Sequence, residues 1–250
     1  NAEYVGLFGS TGDHDNNVTA IIRNVGLTGN LAVMSGGQNQ LISYTGGFVG
    51  YAQPGTRIYN CYNTIPVAGK RSVGGLLGYG LGVNITDSYN LGDIYGNKSG
   101  GLVGDLSRST IENSFSVATI TGNFDAGGIV GTSQSLIASN VYSTGSVNSD
   151  YRAGGFSSSN AFQFSSMNNA FSTSRVNGIT ASGGLVGALY SGATILNSHW
   201  STDTSGQESS DGESEIDNYF GATLAELQCP TSSDNTECVI SNTLYASWDA

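Results

Sequence analysis

A Gly-Gly pair returns at Gly46-Gly47, Gly74-Gly75, Gly100-Gly101, Gly127-Gly128, Gly154-Gly155 and Gly183-Gly184, in steps of 28, 26, 27, 27 and 29 residues. A fixed period of this size belongs to an array of stacked units, each of which buries its apolar face only against its neighbours. The stretch 100–122, GGLVGDLSRSTIENSFSVATITG, is one such unit.

Aligning the copies on Asn24, Asn60, Asp87, Asn113, Asn140, Asn169 and Asn197 brings the other columns into register. Two residues earlier stand Ile22, Ile58, Ile85, Ile111, Ala138, Met167 and Ile195. Two residues later stand Gly26, Tyr62, Tyr89, Phe115, Tyr142, Phe171 and His199. Seven residues later stand Leu31, Val67, Ile94, Ile120, Val147 and Val176. Apolar residues two apart, in short β-branched and aromatic runs broken by Gly, read as strands with one buried face. Three short strands in roughly 27 residues make one coil. The fold expected is therefore all-β, a right-handed parallel β-helix (solenoid) of about seven coils, like stacked on like at about 4.8 Å.

On this reading residues 1–205 form the repeats, and residues 206–250 form a C-terminal cap of acidic loop, short helix and cysteine loop. The asparagine column is expected to point inward at a bend as a ladder of self-satisfying amides, with Asp87 the weak rung because it lacks a donor. The position three after it, Asn63, Asn90, Ser116, Ser143 and Ser172, is expected to run as a polar stripe along the outside. The next position, Thr28, Thr64, Leu91, Val117, Thr144 and Thr173, would suit ice binding only if threonine were unbroken, and Leu91 and Val117 break it.

Composition narrows the partners. A net charge of -11 with only 8 Lys and Arg argues against nucleic acid, which needs basic clusters. No apolar run approaches the length of a membrane span. The chain opens inside a copy of the repeat, at Tyr4-Val5-Gly6-Leu7-Phe8-Gly9, which reads as a cut in something longer. Cys61 stands beside the asparagine column where other coils carry Ser88, Ser114 and Ala170, as a small packed thiol. Cys229 and Cys238 flank a Pro-Thr-Ser-Ser-Asp-Asn loop, and in a secreted protein they are expected to pair. Sequons at Asn17, Asn84 and Asn97 could carry glycans in a suitable host.

Candidate ligand-holding residues are few. Asp13, Asp15, Asn16 and Asn17, in the insertion at 10–17, could hold calcium, although the same residues also make ordinary turns. Tyr44, Tyr51, Tyr79, Tyr151 and Tyr190 cluster near the Gly-Gly corners, where exposed rings would suit sugar stacking but half-buried packing of the same rings is the favoured reading. The acidic run at 201–221 reads as a solvated loop. Thr223 and Glu226 fit a capping box, with Leu224 and Leu227 on one face of a short helix that, with Trp248, would cover the last coil.

At these residues the chain resembles the GLUG-repeat family of large secreted bacterial proteins. Gly-Gly-Leu-Val-Gly at 100–104 and 183–187 and Asn113-Ser114-Phe115 match its repeat. Asn197-Ser198-His199-Trp200, the following Thr-Ser-Gly-Gln and Ala-Glu-Leu-Gln at 225–228 resemble the way such arrays end. The Phe156-Ser157-Ser158 coil departs from the pattern by lacking the closing Gly. Such repeats occur in filamentous-haemagglutinin-like adhesins and beside the protease domain of IgA-specific metallo-endopeptidases. The resemblance implies surface display and adhesion at the cell surface or outside the cell, and it brings no catalytic residues.

The leading expectation is a non-catalytic module of a bacterial surface adhesin that binds a glycan or a host protein. The alternative is a structural subunit that binds copies of itself in an extracellular filament or sheath. A polysaccharide-acting β-helix enzyme is a third reading. It would need a carboxylate pair or a metal cluster on one lateral face, and the array offers chiefly Asp87, Asp93, Asp105, Glu112, Asp125 and Asp150. No zinc-protease His-Glu-x-x-His motif and no Gly-x-Ser-x-Gly elbow is present. No catalytic residue, cofactor or membrane insertion is expected.

Overall fold

The structure is a computed structural model and describes residues 3–12, 18–35, 43–161, 165–190, 192–213 and 221–228. The chain is a parallel β-solenoid. The isoleucine column is in register from Ile22 through Ile58, Ile85, Ile111, Ala138 and Met167 to Ile195, seven levels separated by six turns. The Gly-Gly column is in register over the same array, Gly46 to Gly74, Gly100, Gly127, Gly154 and Gly183. In mid-array the strands run on through the bends, so that Val103–Gly127 and Val130–Ser149 are long ribbons turned at left-handed corners, Arg108 and Asn113 in the first and Ser135 and Asn140 in the second. In the first coil Val33, not Leu31, occupies the level of Val67, and Leu31 is 81% exposed.

The asparagine column corrects the sequence reading. Asn24, Asn60, Asp87, Asn113, Asn140, Asn169 and Asn197 all have positive φ, between 48° and 57°. This left-handed region costs other L-residues about 1–2 kcal/mol and is tolerated best by Gly, Asn and Asp. One left-handed residue adds an extra outward position and shifts the in-out alternation by one. Thus Ile58 is buried, Asn60 is exposed at the corner, and Cys61 and Asn63 are buried beyond it. The column therefore points outward, and the stripe three residues later points inward: Asn63, Asn90, Ser116, Ser143 and Ser172 are all buried.

The residue just after the corner repairs the backbone ladder. Ser88, Ser114 and Ser198 Oγ each accept a backbone N–H from the preceding coil, at 3.1 Å. Each Oγ in turn donates to the carbonyl two residues before it, at 2.7 Å. A second corner uses the same device. Gly82, Arg108 and Ser135 have positive φ, and Ser109 Oγ accepts from Val83 N–H at 2.9 Å.

The interior holds two apolar clusters. The larger is built on Phe48, Leu76, Leu102, Ile129, Phe156 and Leu185 with the isoleucine column. The smaller is built on Val67, Val73, Ile94, Ile120, Ala126 and Val147. Between them the second glycine of each pair rests on the inward stripe across the coil. A Cβ on Gly75 would lie 2.3 Å from Asn90 Cγ and 2.4 Å from the Gly101 carbonyl oxygen. A Cβ on Gly101 would lie 2.3 Å from Ser116 Oγ and 2.0 Å from the Gly128 carbonyl oxygen. The first glycine is equally confined, since a Cβ on Gly100 would lie 2.0 Å from the Val103 carbonyl oxygen. The cross-section is therefore pinched at a waist that only glycine permits. The coil that departs from the pattern is accommodated because buried Ser158 donates its hydroxyl to the Gly131 carbonyl.

The array ends at Trp200, which occupies the inward stripe in register with Ser172 and is buried beneath Gly184. Its indole N–H donates to the Gln207 carbonyl at 3.0 Å. Beyond it the acidic run is not a solvated loop throughout. Ser209 and Ser210 accept backbone hydrogen bonds from Gly184, Leu185 and Val186, adding one more rung. Asp211 is buried, and its carboxylate accepts from the N–H groups of Leu189 and Glu213, both at 3.1 Å. A short helix, Leu224–Leu227, has the expected capping box. Its Leu224 N–H donates to the Asp203 carboxylate at 2.9 Å. Trp248, Cys229 and Cys238 lie outside the described residues.

Gly75→Ala tests the waist. Its Cβ meets a backbone carbonyl and a buried amide, neither of which can retreat, so the variant is expected to lose about 1–3 kcal/mol or more in urea unfolding. Gly29→Ala, with nothing within 4 Å of the added Cβ but a φ of +138°, probes backbone strain alone.

Candidate functional site

The expected ladder of amides exists, but on the outer surface. Asn60 Nδ2 donates to Asn24 Oδ1 at 2.7 Å, Asn140 to Asn113 at 3.1 Å and Asn169 to Asn140 at 3.1 Å. Asn113 donates to the Asp87 carboxylate at 3.2 Å, while Asp87 has no hydrogen with which to continue the ladder to Asn60. Asn197 leaves the column and donates to Asn168. The buried ladder is the one that was placed outside. Asn63 Nδ2 donates to Asn90 Oδ1 at 2.8 Å, and Ser143 and Ser172 hydroxyls lie 3.1 Å apart. Both ladders are scaffold. Cys61 is a buried free thiol that donates to the Tyr59 carbonyl, and burial pushes its pKa up. Asp13 and Asp15 lie outside the described residues; among those described, no group of three or more His, Cys, Asp or Glu is placed to hold a metal.

The array's chemistry gathers on the outside of the waist. Two columns flank each Gly-Gly pair, one two residues before the first glycine and one five residues after it. The first reads Tyr4, Tyr44, Ser72, Lys98, Asp125 and Arg152. The second reads Ser10, Tyr51, Tyr79, Asp105 and Thr132. Because the backbones nearly touch at the waist, side chains of the two columns meet across a crease. Tyr44 stacks on Tyr4 at 5.7 Å and on Tyr79 at 4.9 Å, and Tyr51 stacks on Tyr79 at 5.4 Å. One level higher, Lys98 Nζ lies 3.4 Å from Asp105 and 3.5 Å from Thr132 Oγ1. Higher still, Arg152 Nε donates to the buried Asp125 carboxylate at 2.9 Å, and its Nη1 donates to Tyr190 Oη at 3.1 Å.

This geometry decides how the tyrosines can act. The rings lie face to face along the rod axis and are half-buried, so their faces are spent on one another. Flat stacking of a sugar on Tyr44 or Tyr51 is thereby excluded, and what these two offer a ligand is ring edges and phenol hydroxyls, whereas Tyr151 and Tyr190, each 44% exposed, stand outside the stack. Burial raises the Tyr44 and Tyr79 pKa values, with Asp105 adding to the effect, so both remain hydroxyl donors at neutral pH. Arg71 lies over the Tyr44 ring at 5.6 Å. Burial works against the Arg152 charge, but the Asp125 carboxylate outweighs it and holds the guanidinium cationic. The five rings of the second stack, Tyr62 to Phe171, are spaced 4.7–5.1 Å apart and hold one lateral face together.

Sequence reasoning singled out Tyr44, Tyr51 and Tyr79 but missed Lys98, Asp105, Asp125 and Arg152 as their companions. Counting two before and five after each Gly-Gly pair would have placed all seven in one crease.

No known family pattern matches the chain, and no curated protein matches it. Among solved structures the chain is similar to a putative immunoglobulin A1 protease from Bacteroides ovatus. The TM-score is 0.64 at 19% identity, over 96% of this chain and 75% of that one. The likeness supports the solenoid fold.

Asp87→Asn is expected to supply the missing donor to Asn60 and raise stability by up to about 1 kcal/mol. Asn113→Ala should cost about 1–2 kcal/mol at its left-handed φ, and Asn113→Gly less. Urea midpoints at constant slope check all three.

Proposed function

We propose that this chain is a non-catalytic, extracellular binding module of the surface-adhesin kind, a rod that presents one lateral crease to a glycan or to a protein at a cell surface. The observation that carries the reading is the crease itself. Tyrosine hydroxyls, Lys98 and Arg152 converge there over a backbone too tightly packed to move. The repeat resemblance to secreted adhesins and to regions flanking IgA-specific endopeptidases, and the likeness to the Bacteroides ovatus protein, fit display outside the cell.

Catalysis is disfavoured by what the carboxylates do. Asp105 faces Lys98, Asp125 faces Arg152, Asp87 accepts from Asn113, and Asp93 accepts the Thr119 N–H. Four of the six candidate carboxylates thus face a cation or accept a hydrogen bond rather than a second carboxylate as an acid–base pair, and Glu112 and Asp150 are exposed.

The test is a panel of glycans and cell-surface proteins presented to the purified chain. A ligand that binds is expected to lose about tenfold in affinity on Tyr79→Ala, within the usual range for an interface anchor, and to be unaffected by Leu91→Ala on another face. Cleavage of any panel member by the chain would restore the enzyme reading. Fibres growing with protein concentration under negative stain would favour the assembly reading.

A further inference from the structure

We infer that the crease binds an acidic polysaccharide laid along the rod axis, its carboxylates met by Lys98 and its hydroxyls by the tyrosine edges. The inference rests on the binding-module reading and names its ligand class. Its first ground is charge. The chain carries 19 Asp and Glu against 8 Lys and Arg, yet Arg71, Lys98 and Arg152 fall on this one crease beside two carboxylates, Asp105 and Asp125, so that these five groups are one charge positive. A polyanion is repelled by the acidic surface elsewhere and steered to this strip.

The second ground is how each cation is held. Arg152 is locked to Asp125, which is 5% exposed, and acts as a fixed post. Lys98 pairs with Asp105 at 3.4 Å with a third of its side chain exposed. A long, partly solvated pair of this kind is weakly held, so its ammonium can turn to a ligand carboxylate at little cost. The third ground is an unspent donor. Ser72 lies between Tyr44 and Lys98 in the crease column, on the strand face opposite the core residue Val73, and its buried hydroxyl has no hydrogen-bond partner. Ser72 is 0% exposed, so a ligand hydroxyl or carboxylate reaches it only where the overlying side chains give way, and that contact would relieve the cost of an unpaired buried polar group.

Periodicity supplies the fourth ground. One coil rises about 4.8 Å. That is close to the advance of one sugar unit in an extended polysaccharide, so successive units meet successive levels of the crease. The stacked rings cannot take sugar faces, and the row of hydroxyl edges instead suits hydrogen bonding to a polyhydroxylated chain.

The experiment uses the full chain with polygalacturonate, alginate and chondroitin sulfate, and with fully methyl-esterified polygalacturonate as the uncharged match. Affinity electrophoresis and calorimetry read the binding. At least one acidic polymer is expected to bind. For polygalacturonate, the ester should bind at least tenfold more weakly. Binding should fall several-fold between about 50 and 300 mM salt, as exposed charges are screened. Lys98→Gln is expected to weaken binding at least fivefold with an unchanged melting temperature, and Arg23→Gln, on another face, to leave it unchanged. Equal binding of acid and ester, or undiminished binding by Lys98→Gln, overturns the inference. If every acidic polymer fails while a neutral glycan or a protein binds, the ligand class falls and the module reading stands. If nothing binds, both fall.

Discussion

The second glycine of each pair lies so close to the coil above that nothing larger than hydrogen fits between them. For Gly101, Gly128 and Gly155 the nearest carbonyl oxygen would sit 2.0–2.1 Å from an added Cβ. Across the coil an added Cβ on the same three glycines would also sit 2.3–2.7 Å from Ser116, Ser143 or Ser172, and this second contact fixes the distance between the two sides of the coil. The inward stripe has to be short and able to bond to itself, hence Asn63 on Asn90 and Ser143 on Ser172. The apolar interior is split in two, and each half is filled by Val, Ile, Leu or Phe according to its width. On the outside it is the first glycine that brings two columns of side chains to touching distance, because the turn folds back until an added Cβ on Gly100 would lie 2.0 Å from the Val103 carbonyl oxygen. The scaffold and the crease are consequences of the two glycines of one pair.

Much of the fold was legible because solenoids repeat their demands. The isoleucine and Gly-Gly columns appear in the sequence as they appear in the register. What could not be read was which way two of the columns face. Counting by twos from Ile58 carries Asn60 and Tyr62 to the inside. The left-handed φ at Asn60 breaks the count, so that Cys61 and Asn63 go inside instead. Asparagine in a period-two pattern is ambiguous between a buried amide and a left-handed corner, and six copies of it in one column favoured the wrong choice. An asparagine column followed directly by small Ser, Cys, Ala or Val was the available clue, since the residue after the corner turns inward.

The crease was only half legible. Its tyrosines stood out by their chemistry, whereas Lys98, Asp105, Asp125 and Arg152 looked like scattered charges. They are united by their offsets from the glycines, a relation with meaning only once the waist is known. Half-buried packing, the favoured reading of the tyrosines, holds for Tyr44, Tyr51 and Tyr79, because rings repeated at one position in successive coils stack on each other before they can stack on anything else, while Tyr151 and Tyr190 stand outside that stack.

Trp200 gives the stack a terminus that is independent of its height. It fills the inward stripe with a side chain too large for any further coil of the same kind, and it recruits residues 207–212 to close the edge. Every level beneath it makes the same steric request of its neighbour. Whole coils could therefore be added or removed below the tryptophan without redesigning the end. In such a molecule, reach is a counting variable. Gene duplication would tune how far the crease extends in increments of one coil, about 4.8 Å, leaving the chemistry of each rung as it was.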